Sequence, residues 1–197
     1  MKSEFTDIMQ AALKEATAMN AVIEERCLDD LARIAAVSAD AILQGGRLFF
    51  CGNGGSAAEC QHLATELVVR LSSDRTRQAL PALALTTDTS ILTACSNDFG
   101  FETIFARQVE AHLRRGDVLF LLSTSGRSPN LIEAAKASRE KHGVNIGFLG
   151  QSETPLDAHL DYALHVPSAN SQRVQEAHLF CGHLLVHLIE LQLMKSK

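Results

Sequence analysis

The sequence lacks an excess of positive charge. Its 18 lysines and arginines are outnumbered by 23 aspartates and glutamates, a formal net charge of −5 at pH 7, whereas a protein that grips nucleic acid by its phosphates carries a basic surplus. No nucleic-acid partner is expected, and binding to an acidic lipid surface is disfavoured for the same reason. Also missing is an uninterrupted apolar run long enough to span a bilayer. The opening MKSEFTDIMQ carries acids where a signal peptide has its apolar stretch. The expectation is a cytoplasmic protein with no membrane partner. Five cysteines, Cys27, Cys51, Cys60, Cys95 and Cys181, include no C-x-x-C pair, and their odd number would strand one in a disulfide scheme, so reduced thiols are the simpler reading. No internal repeat, low-complexity segment or Pro/Gly/Ser-rich linker divides the chain. Its 197 residues, 46% hydrophobic, are read as one domain with one substantial core.

From Ser3 to Leu43 apolar residues recur at helical spacing, first Ile8, Ala11, Ala12 and Leu13, then Leu28, Leu31, Ile34 and Ala35. This predicts two helices that break near Cys27 and stop at Gly45-Gly46. Short apolar runs follow at RLFFC, ALALT, VLFLL, NIGFL and, more weakly, YALHV, most of them separated by helical patterns. Strands alternating with helices imply crossovers and a parallel sheet covered on both faces, an α/β/α three-layer sandwich. The last segment, SQRVQEAHLFCGHLLVHLIELQLM, reads as a long helix whose apolar face suits the sheet or another subunit. Leu71–Pro81 and Gly150–Asp161 read as surface loops.

The stretch LFFCGNGGSAAECQHLATE runs from a strand through a glycine turn into a helix. Gly52 to Ala57 fits the dinucleotide pattern G-x-G-x-x-A, but the acid expected roughly 20 residues on, at the end of the next strand, is absent; the nearest, Asp88, is too distant. A P-loop is excluded because the turn holds no lysine. A capping box, with Ser56 satisfying a helix-start N–H and Glu59 reaching back, would account for the turn structurally. It would still leave backbone N–H groups able to hold an anion. A second turn of the same kind, STSGRSPNLIEAAKAS, follows VLFLL. Pro129 suits the first helical position and Ser128 the cap. Turn chemistry accounts for one or two hydroxyls, and Ser123, Thr124, Ser125 and Ser128 exceed that need. Hydroxyls and N–H groups converging on a helix start suit a phosphate monoester.

Together CGNGGSAAECQHLATEL, SNDFGF, LLSTSGRS and RVQEAHLFCGHLLVHLIE resemble the phosphoheptose isomerase (sedoheptulose 7-phosphate isomerase) family of SIS, or sugar isomerase, domains, in order and over nearly the whole chain. The resemblance implies a flavodoxin-like SIS domain over 1–197, with 1–45 a helical extension packed on it or on a neighbouring subunit. It also implies a homotetramer and conversion of a heptose phosphate for bacterial lipopolysaccharide precursors.

His62 and Glu66 lie four apart and share a helix face directly after the first turn. In the last helix Gln175, Glu176, His178, His183 and His187 are all candidates, and spacing alone would pair His183 with Glu176 or His187. The resemblance selects Gln175 and His183, and implies zinc held by His62, Glu66, Gln175 and His183, with Glu66 as base and His183 as the complementary acid. It further implies sugar-phosphate contacts from Asn53, Gly54, Gly55, Glu66, Asn97, Asp98, Ser123, Thr124, Ser125, Ser128 and Gln175. Without it, Asn97-Asp98 would read as an ordinary turn. The chain departs from the family pattern at Arg127, where Asn is common, and at Gly150–Asp161, which lacks a glycine-rich stretch. The competing reading is a non-catalytic SIS protein acting by protein binding, like the replication-initiator-associating relatives. Those relatives depart at the catalytic Glu and His, which this chain retains.

Overall fold

The computed structural model describes residues 2–195. Strands β1 (Leu48–Gly52), β2 (Ala82–Ala84), β3 (Val118–Ser123), β4 (Val144–Leu149) and β5 (Tyr162–His165) form one sheet in the order β2-β1-β3-β4-β5. Every pairing is parallel. β1 and β3 are buried at every position, which is why they read as continuous apolar runs and not as alternation. β2 is shorter than ALALT suggests. It ends at Ala84, and Leu85 adds one more bond to Phe50 before the chain turns away.

The helices are α1 (Lys2–Arg26), α2 (Leu28–Leu43), α3 (Gly55–Val68), α4 (Thr89–Phe99), α5 (Ala106–His112), α6 (Pro129–Glu140) and α7 (Ser171–Lys195). They divide into two layers. Leu31, Ile34 and Ala35 of α2, Leu63 and Leu67 of α3, and Cys181, Leu185 and Ile189 of α7 pack with Phe50, Phe120 and Phe148 on one sheet face. Val109 of α5 and Leu131, Ala134 and Ala135 of α6 pack with Phe49, Leu119 and Leu121 on the other, joined by Cys95 of α4. Phe50 and Phe120 are register partners and stack at 4.7 Å, with Phe148 edge-on at 6.0 Å. Each such ring contributes on the order of 2 kcal/mol by leaving water.

By length and composition α7 could cross a membrane, but one of its faces is core: Val174, Ala177, Cys181, Leu185 and Ile189 are buried. α2 is likewise part of the core. α1 meets it in its last two turns, at Met19 and Ile23, and leaves Phe5, Ile8, Met9 and Leu13 exposed as a stripe. All five cysteines are free and buried, and burial pushes the thiols of Cys51, Cys60 and Cys181 upward.

The strand order fixes where a ligand can sit. From β1 the chain moves outward to β2, and from β3 it moves outward in the opposite direction to β4, so the crossovers leave a crevice beyond the carboxyl ends of these two neighbours. Both glycine turns open into it.

Candidate active site

After β1, Gly54 takes φ +58° and ψ −119° as the N-cap of α3. A Cβ is strongly disfavoured there, and the conformation turns the chain out of the strand so that the helix starts at once. Gly54 and Gly55 are exposed, and the first N–H groups of a helix have no partner within it. The structure corrects the capping box. Because the helix begins at Gly55, Ser56 and Glu59 lie inside it and are buried, and no side chain caps the start. Burial pushes the Glu59 carboxyl up to about 7, with the Ser56 hydroxyl pulling the other way.

After β3, Gly126 repeats the same φ of +58°. The Ser123 hydroxyl accepts from Gly126 N–H at 2.9 Å and so holds the turn itself. Ser128 occupies the N-cap of α6 with Pro129 at its first position, yet its side chain caps nothing. Thr124, Ser125 and Arg127 line a cleft of about 230 Å³ with Ser168 and Ser171. Thr154, from the segment that departs from the family pattern, packs on Gly126 and is held through its Oγ1 by Asp157 at 2.7 Å.

The helix after the first turn carries the titratable groups. His62 Nε2 lies 3.4 Å from Glu66 Oε1, as the four-residue spacing requires. The partner of His183 is neither Glu176, which pairs with Arg173, nor His187, which meets Arg75. It is His62, with Nε2 to Nε2 at 2.7 Å. The cause is a close crossing of α3 and α7. A Cβ on Gly182 would come within 2.5 Å of Leu63 Cδ2, so the glycine leaves room for the buried Leu63 side chain between the helices, and the residues next to each, His183 and His62, meet.

Ligand atoms of His62, Glu66 and His183 all lie within 4.8 Å of one another. Two facing imidazole nitrogens can share only one proton, whereas a cation takes both lone pairs, and a nitrogen and oxygen donor set without thiolate suits zinc. The residues therefore fit a divalent metal. Gln175 lies across the start of α3, where a Cβ on Gly55 would fall 2.5 Å from its Nε2. His178 is absent from the cluster. It is buried under Phe148, bonded to Leu149 O at 3.2 Å and pushed down to about 4 by burial.

Asn97 and Asp98 belong to the last turn of α4 instead of a loop, and bond to each other at 2.8 Å. Asp98 lines a separate cleft with Ile91, Cys95 and Arg107 in the α4–α5 layer. Asp88, unusable for a dinucleotide ribose, is the N-cap of α4 and accepts from Ile91 N–H at 3.0 Å.

One positioning group was hidden in the Leu71–Pro81 loop. Arg77 donates to Glu66 O at 2.7 Å and Leu67 O at 2.8 Å, and pairs with buried Glu190 of α7 at 2.6 Å. It caps the end of α3 and ties it to α7 a second time. The only sequence signal was the pair of arginines, Arg75 and Arg77, in a polar run whose one other charge is Asp74.

A family model described as SIS domain matches residues 13–150. The phosphoheptose isomerase of Roseiflexus sp. (strain RS-1) is 43% identical over 190 residues, 96% of this chain and 90% of the relative. Among solved structures, a phosphoheptose isomerase from Neisseria gonorrhoeae superposes with a TM-score of 0.88 at 36% identity, covering 94% of this chain and 98% of that one. Another, from Francisella tularensis, gives 0.89 at 30% identity, covering 93% and 97%.

Proposed function

The chain belongs to the phosphoheptose isomerase family of SIS-domain proteins, and from that membership we propose that it converts sedoheptulose 7-phosphate to D-glycero-D-manno-heptose 7-phosphate. The observation that carries the reading is the His62, Glu66 and His183 cluster, formed where α7 crosses the helix that leaves the first glycine turn. A purely protein-binding role has no use for it.

The backbone of Asn53, Gly54 and Gly55 and the hydroxyls of Ser123, Thr124, Ser125 and Ser128 hold the sugar phosphate between the two helix starts. Asn97 and Asp98 are assigned to sugar hydroxyls by family likeness alone. Isomerisation moves one proton between adjacent carbons and exchanges protons between two oxygens. Glu66 removes the proton from C1, which leaves an enediol; that proton exchanges with water on the carboxyl group, and Glu66 delivers one to C2. His183 gives a proton to the C2 oxygen and takes one from the C1 oxygen, so the balance closes. The Glu66 side chain is 19% exposed against 43% for His62, which suits a base that must reach substrate while partly shielded from water. His62, Glu66, Gln175 and His183 would hold zinc. When bound, zinc polarises the substrate oxygens and stabilises charge that develops on them. A carboxylate has two oxygens, so Glu66 can bind with one and reach with the other.

We assign the protein to the cytoplasm, to supply of heptose for lipopolysaccharide, and to a homotetramer. The exposed stripe of Phe5, Ile8, Met9 and Leu13 on α1 supports such assembly. Turnover of sedoheptulose 7-phosphate with and without a chelator tests the reading. Aldose phosphate is expected, with loss of rate on chelation and recovery on adding zinc. No aldose product under any metal condition would refute it.

A further inference from the structure

One polar side chain outside the residues assigned so far is buried at the crevice itself. Asn130, the second residue of α6, is 1% exposed, and its carboxamide forms a reciprocal pair with that of Asn53. Asn53 Nδ2 donates to Asn130 Oδ1 at 2.9 Å, and Asn130 Nδ2 donates to Asn53 Oδ1 at 2.8 Å. The partners are 77 residues apart, so the pair is neither a local cap nor a turn. It joins the turn after β1 to the first turn of the helix after β3, across the line where the two strands lie side by side.

A two-bond ring of this kind fixes both amide planes, because neither can rotate without breaking both bonds. Packing alone could be met by a leucine of similar volume. The ring does more. It sets the separation of the two turns and the direction of the Asn53 amide, of which one N–H lies outside the ring on a half-buried residue at the mouth of the crevice.

We propose that Asn130 is a positioning residue: through Asn53 it locks the two anion turns at one separation, so that a phosphorylated sugar spanning both is bound and aligned. For the identity of that ligand the proposal rests on the isomerase reading. It makes a distinction that a general structural role does not. A ligand held by one turn should be indifferent to the lock, whereas a ligand that spans both should depend on it.

The test compares inorganic phosphate with sedoheptulose 7-phosphate on Asn130→Leu and Asn130→Ser, with folding verified by circular dichroism. The expected result is a loss of roughly tenfold or more in kcat/KM and in affinity for the sugar phosphate, with phosphate affinity changed by less than about twofold. Asn53→Ala combined with Asn130→Leu should be no worse than the poorer single variant, because the two act as one unit. Sugar-phosphate turnover within about twofold of wild type, or equal losses for both ligands, would overturn the proposal. Should neither variant fold, exchange of the Asn53 and Asn130 side-chain amide protons in the wild-type protein decides: slow exchange at both supports the lock, and fast exchange at both overturns it. Wild-type protein that neither binds nor converts the sugar phosphate would refute the isomerase reading instead, a result read without any variant.

Discussion

Gly54 and Gly126 share a φ of +58°, and each stands between a fully buried strand and a helix, yet the two helices that follow have little else in common. α3 presents His62 and Glu66 on one face and is pressed against α7 at Gly182, and its last carbonyls are capped by Arg77. α6 presents Leu131, Ala134 and Ala135 to the core, and its one buried polar contribution at the crevice is Asn130. In the proposed reading the two turns serve alike as anion holders, because that property belongs to the backbone and to the helix start. They differ in chemistry because chemistry depends on which second element the helix meets.

The largest effects should come from the α3 side. Glu66→Gln and His183→Gln should each lower kcat by roughly a thousandfold or more and leave inorganic phosphate affinity near wild type, measured by turnover and by calorimetry. Near-normal turnover in both would erase the contrast between the two turns. Gly182→Ala should follow. Its methyl meets Leu63, moves α7 off α3 and parts His183 from His62, with an expected drop in kcat of about tenfold and a stability loss of roughly 1–3 kcal/mol. Urea unfolding together with kinetics checks both parts. On the β3 side, Ser125→Ala and Ser128→Ala should raise KM by about tenfold each with kcat little changed, the signature of lost binding uniform along the reaction.

The smallest effect concerns pH and two buried groups that play no part in proton transfer. The Glu59 carboxyl, raised to about 7 from 4.5, favours folding while neutral. That contribution is complete below pH 4.5 and is lost as pH climbs through 7. His178, lowered to about 4 from 6.5, acts oppositely: its contribution is complete above pH 6.5 and is lost as pH falls through 4. Melting temperatures of Glu59→Gln should therefore fall less than wild type between pH 4.5 and 7. Those of His178→Gln should fall less between pH 6.5 and 4.

The parts of the molecule that were legible in the sequence are those set by local pattern. Continuous apolar runs marked β1, β3 and β4 because parallel strands are buried on both faces, and the break near Cys27 separated α1 from α2. Ser56 and Glu59 misled because the pattern of a capping box does not reveal that a glycine one step earlier already starts the helix. The partner of His183 was illegible for a different reason. It lies 121 residues away, and spacing within one helix carries no information about the helix that crosses it. The same holds for Arg77, whose loop reads as polar surface while its guanidinium bridges α3 and α7.

The central claim is that Glu66 and His183, set beside the first anion turn, move protons through an enediol. Conversion of sedoheptulose 7-phosphate in deuterium oxide, followed by proton NMR of the product, tests it most directly. The account predicts an aldose phosphate carrying deuterium at C2, formed by wild type and not by Glu66→Gln. An aldose phosphate with no deuterium at C2, or equal rates from both proteins, would contradict it.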